Sequence, residues 1–143
     1  MKNIVSILFI LVSTIYPIVS NAAANSALIY QEQFQKCDTS ANTAQEKAVS
    51  TVQIVQIIDE QKKCYTTVAN EIIDAEYAKS QQQMKSEFDN FIYAATKVAR
   101  IMQDTDTCVP DCGTIAGINA ATAELELIKT YTQQLLYAIS QKD

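Results

Sequence analysis

From Thr43 to Asp104 the chain contains neither glycine nor proline. Tight turns between strands draw on those two residues for their special backbone angles, so so long a stretch without either is hard to build as a sheet. It suits helix. Apolar residues recur at spacings of three and four: Val52, Val55, Ile58, Tyr65, Ala69 and Ile72, then Met84, Phe88, Phe91, Ala95, Val98 and Met102. Each set is one apolar stripe of a helix. The two sets do not share one phase. Between them lies Lys79-Ser80-Gln81-Gln82-Gln83, where the stripe lapses. A bend or break near Ser80 to Gln83 competes with one continuous curved helix, which the absence of Gly and Pro favours.

A third stripe is the most regular: Ile118, Ala121, Leu125, Ile128, Thr132, Leu135 and Ile139. Ahead of it, Thr114 is a plausible N-cap. Ala116, Ala120, Ala121 and Ala123 allow close approach at one end; Leu135, Leu136, Tyr137 and Ile139 fill the other. Upstream, residues 25–36 form a short helix packing Leu28, Ile29 and Phe34. Asp38 through Asn42 then read as polar and cap-like, and Thr43-Ala44-Gln45-Glu46 matches a capping box. The fold class is all-α: a disulfide-stabilised helical hairpin or a three-to-four-helix bundle.

The hinge of the hairpin is Cys108-Val109-Pro110-Asp111-Cys112-Gly113-Thr114, which gathers one of two prolines, one of two glycines and two of four cysteines. Four cysteines in an exported chain of this size read as two disulfides. The spacing lacks the paired CxxC knuckles of a zinc site and the CxxC of a redox site, and there is no histidine. Cys37 with Cys64 and Cys108 with Cys112 is the favoured scheme; a competing one joins Cys64 to Cys108 or Cys112. A helix running unbroken from Ala44 to Cys64 would rise about 30 Å, beyond the reach of the residues between Cys37 and Ala44. Pairing Cys37 with Cys64 therefore requires that helix to start later, near Ser50.

The N-terminus carries Lys2, then a mostly apolar run from Ile4 to Ile15, then Pro17 and the small residues Ser20-Asn21-Ala22-Ala23-Ala24. This is the layout of a signal peptide, 1–22, cleaved after Ala22 or Ala24, with 23–143 as a single helical domain. The run is short for a bilayer span, and no later one approaches that length, so no integral membrane span is expected in the mature chain. Without Lys2, ten basic residues face sixteen acidic ones. That balance disfavours nucleic acid as a partner, which demands basic patches.

No catalytic constellation is visible, and no cofactor or metal is called for. Asp104, Asp106 and Asp111 cluster at the hinge but lack the later ligands and glycine of a calcium loop. Glu71, Asp74 and Glu76 lie within two turns, in the manner of a solvated helix face. Among the tyrosines, Tyr77 and Tyr93 sit off the stripes and are candidate interface residues. The segment Val109, Pro110 and Asp111, held between two cysteines, is a candidate binding loop, since a constrained loop loses little entropy on binding.

Cys64-Tyr65 through Ala75-Glu76-Tyr77, and Cys108 followed by Gly113-Thr114-Ile115-Ala116 and a helix bearing Glu124 and Glu126, resemble the LprI-type family of small exported, lysozyme-inhibitor-like helical proteins. About half the mature chain is covered. The chain departs from that pattern in lacking a tryptophan, in carrying Asp104-Thr105-Asp106 before Cys108, and in placing Cys112 ahead of the last helix. The resemblance implies inhibition of a cell-wall-degrading enzyme such as lysozyme, and an acidic protein suits a basic enzyme. By architecture alone the chain also looks like a minor structural or adhesin-like subunit of a pilus or conjugation-type secretion apparatus. The expectation is an exported, periplasmic or extracellular, non-enzymatic module that binds another protein of the cell envelope.

Overall fold

A computed structural model describes the backbone of residues 21–105 and 113–141, and the side chains of 26–103 and 115–141. The described residues form four helices and no strand: α1 (Asn21–Gln45), α2 (Thr51–Glu76), α3 (Gln81–Thr105) and α4 (Gly113–Ser140). They run up, down, up, down. Asp38 meets Lys129 and Gln61, and Thr96 meets Glu124, which sets α1 antiparallel to α2 and to α4, and α3 antiparallel to α4. α4 packs along α2, α3 and α1; α1 and α3 lie on opposite sides and do not approach each other.

The α4 stripe is the backbone of the core. Leu125, Ile128, Thr132, Leu135 and Ile139 are all buried, with Leu136 beside them, whereas Tyr137 points outward. α2 contributes Ile58, Tyr65, Val68, Ala69, Ile72 and Ile73. Val52, at the first turn of α2, lies outside this core and is exposed. On α3 the buried line is Phe88, Ala95 and Ala99, with Met84, Phe91 and Ile92 packed partly against the core. Val98 and Met102 face outward, a correction to the predicted stripe: the small Ala95 and Ala99 let α3 approach where larger side chains would hold it off. Tyr131 lies stacked on both Phe88 and Phe91, with ring centroids 4.8 and 4.9 Å away.

α1 corrects the sequence reading most. It does not end near residue 36; it continues through Asp38–Asn42 and Thr43 to Gln45. Thr39 and Thr43 are not caps. Their hydroxyls donate to the carbonyls of Gln35 and Thr39, so they are satisfied inside the helix. The helix start belongs to Ser50, in extended conformation, which accepts from the Gln53 backbone N–H while the Gln53 side chain accepts from Val49 N–H. The inward line on α1 is Ala27, Tyr30, Phe34, Cys37 and Ala41, a three-four repeat phased by Cys37. Leu28 and Ile29 fall off that line and are exposed.

Cys37 and Cys64 form a disulfide, with their Cα atoms 5.7 Å apart. This excludes the scheme that joins Cys64 to Cys108 or Cys112. Because α2 begins at Thr51, the two cysteines lie about 12 and 20 Å from the turn along their helices, a mismatch that residues 46–50 can absorb. The chain breaks again at 77–80, overlapping the predicted Ser80–Gln83 segment at Ser80, and Gln81 to Gln83 are already helical. Asp74 braces that corner through Lys85 (2.5 Å) and Gln81 (2.6 Å). Cys108 and Cys112 lie outside the described residues, as do most of residues 1–22; α1 begins at Asn21, so the expected cleavage points fall in its first turn.

Candidate functional site

Two polar clusters cross the core, and both are organised by α4. Lys129 and Glu124 lie five residues apart, which sets them roughly 140° apart around the helix, on opposite sides. Glu124 takes Lys62 Nζ at 2.6 Å and the Thr96 hydroxyl, tying α2 and α3 to α4. Lys62 also reaches Asp59 at 2.8 Å. Burial works against the Lys62 charge, but hydrogen bonds to Asp59 and Glu124 outweigh it and raise its pKa.

The second cluster centres on Asp38 of α1. Its Oδ1 accepts three hydrogen bonds: from Gln61 Nε2 at 3.1 Å, from the Tyr65 hydroxyl, and from Lys129 Nζ at 2.8 Å. Its Oδ2 accepts none from the described residues. Gln61 also donates to the Tyr65 hydroxyl at 3.4 Å, and the buried Tyr65 hydroxyl in turn donates to Asp38, so without Asp38 that hydroxyl loses its acceptor. Lys129 also stands 5.7 Å from the Tyr65 ring centroid, within range of a cation–π contact. Burial pushes the Asp38 carboxyl up, yet the bonds from Lys129, Tyr65 and Gln61 outweigh it and hold the pKa below 3.8. Burial, and then the bond donated to Asp38, raise the Tyr65 hydroxyl well above 10.

Beside this cluster opens a cleft of about 540 Å³ between α1, α2 and α4. Ile54, Ile58, Ile118 and Leu125 supply its apolar lining, and Asp38, Glu126 and Lys129 its charges. Polar and apolar side chains thus share the lining, Asn42, Gln45, Gln61 and Thr122 adding uncharged polar groups. The cleft lies toward the end of the bundle where α1 meets α2, and where α4 begins. Both anchor points of segment 106–112, Thr105 and Gly113, are at that end. The segment itself, with Val109, Pro110 and Asp111, lies outside the described residues.

The other predicted residues do not converge on a site. Tyr93 is 70% exposed on the outer face of α3, whereas Tyr77 caps α2 and packs partly against the core. Glu71 and Asp74 are exposed and Glu76 half-buried; Asp74 serves the corner after α2. Among the described residues no group of three acidic or cysteine side chains is placed to hold a metal. No described helix is long and apolar enough to cross a membrane.

Asp38, Gln61 and Lys129 escaped the sequence reading. Asp38 lies in what reads as a capping segment, and Lys129 is 91 residues away. The available signal was Tyr65: a tyrosine in the middle of an apolar stripe needs a partner for its hydroxyl. Comparison with protein-family models, with curated proteins and with solved structures finds no match to this chain.

Proposed function

We propose that this chain is an exported, non-enzymatic protein-binding module, and that its partner docks in the cleft beside Asp38. The cleft carries this reading. Three helices frame it, and two of them are tied by a disulfide and all three by the Asp38 hydrogen bonds. Such a site is formed before the partner arrives, and binding then costs little ordering entropy. A disulfide between helices suits an oxidising compartment, in line with the signal-like N-terminus.

The partner is a basic envelope protein, a cell-wall-degrading enzyme such as lysozyme being the leading case. Support comes from the formal net charge of −5 and from the LprI-type resemblance. The test is titration of the purified, disulfide-bonded chain into a lysozyme assay that follows clearing of a cell-wall suspension. Inhibition near one-to-one stoichiometry, lost in Ile118→Lys, supports the reading. Full enzyme activity under a large excess of chain removes lysozyme as the partner.

A second reading, a subunit of a surface assembly, is favoured by one observation. Tyr93 and Val98 are exposed on α3, on the far side of the bundle from α1. Sedimentation across a concentration series separates the two: an inhibitor stays monomeric, and a self-assembling subunit does not.

A further inference from the structure

At the opposite end of the bundle a second cleft, of about 520 Å³, runs between α1 and α4. Its chemistry differs from that of the others. Charged side chains line the Asp38 cleft, the cleft beside Lys62 and the hollow on α3 that holds Lys97 and Arg100. Among the described residues, none lines this one. Its floor is Phe34 and Leu136, both buried. Its polar groups are the amides of Gln31, Gln133 and Gln134 and the hydroxyl of Ser140. Tyr137 stands at the edge with its side chain 64% exposed.

We propose that this cleft binds a neutral saccharide of two hexose units. Each glutamine amide offers both donors and an acceptor, which matches adjacent sugar hydroxyls that likewise donate and accept. The exposed Tyr137 ring and the Phe34–Leu136 floor suit the apolar C–H face of a pyranose. An uncharged lining selects against uronic acids and amino sugars with free amines, whose charge would find no counter-ion. Length agrees as well. The lining runs from Ala27 to Phe34 on α1 and from Gln133 to Ser140 on α4, about 10 Å on each helix, room for two rings end to end.

The probes are cellobiose and di-N-acetylchitobiose, added to the isotope-labelled, disulfide-bonded chain and followed by NMR. The expected result is saturable shifts of the Gln133 and Gln134 side-chain amides, with a Kd of the order of 1 mM for at least one disaccharide. Tyr137→Ala should weaken it about tenfold or more. Gln133→Leu should do likewise; both positions are exposed, and circular dichroism confirms that the fold is kept. Absence of saturable shifts with either sugar at about 10 mM overturns the proposal. So does equal affinity in wild type and Tyr137→Ala.

Discussion

Asp38→Ala is the change that probes this bundle most sharply, because one carboxylate oxygen holds donors from three places in the chain. The bond from the buried Tyr65 hydroxyl is charge-assisted and contributes about 1.5–3 kcal/mol. The Gln61 amide adds roughly 1 kcal/mol. The Lys129 ion pair is partly exposed, with the Asp38 side chain 35% accessible, so it contributes less than about 1 kcal/mol. Alanine is the better helix former and returns roughly 0.5 kcal/mol. The expected loss is about 3 kcal/mol. With a urea m-value near 1.5 kcal/mol/M, the midpoint falls by about 2 M. A cycle with Tyr65→Phe should show about 1.5 kcal/mol of coupling, because removing the hydroxyl first leaves Asp38 less to hold. The pH arm has a definite sign. The folded carboxyl titrates below its ordinary 3.8, so its contribution is present above that value and is lost as pH falls through the folded pKa. The gap between wild type and Asp38→Ala should therefore be flat near neutrality and close below about pH 4. A loss under about 1 kcal/mol with additive single changes would refute the cluster as a structural clamp.

Three further outcomes are expected from chemical or thermal denaturation. Replacing both Cys37 and Cys64 by alanine should cost about 3.5 kcal/mol, from a closed loop with a sequence separation of 27. Gly117→Ala should stabilise by about 0.5–1 kcal/mol, since the residue is helical and an added Cβ meets nothing within 4 Å. Gln33→Met should stabilise by about 1 kcal/mol, because the Gln33 Oε1 is buried without a hydrogen-bond partner among the described residues.

The helical class and the α4 face were legible because they rest on local periodicity. The Ile118–Ile139 stripe repeats without interruption and buries nearly as written, Thr132 included, since that hydroxyl donates to the Ile128 carbonyl. The Cys37–Cys64 pairing was the favoured scheme, and the late start of α2 that chain geometry demanded for it is present. α1 was not legible. Asp38, Thr39, Asn42 and Thr43 are the residue types of caps and turns, and nothing local says that two of the hydroxyls turn inward on their own helix. The phase of α1 is set by the disulfide, so Leu28 and Ile29, attractive by composition, end up outside. The Asp38 cleft joins residues from three helices. Its members become neighbours only once the up-down-up-down order is known.

The most direct measurement is site-specific photocrosslinking in the native envelope. Thr122, on the cleft, and Tyr93, on the outer face of α3, are each replaced by p-benzoylphenylalanine. Docking in the cleft predicts a strong adduct from position 122 with one other protein, suppressed by Ile118→Lys, and little from position 93. Adducts from position 93 alone, or an adduct from 122 with the mass of two copies of this chain, would contradict it.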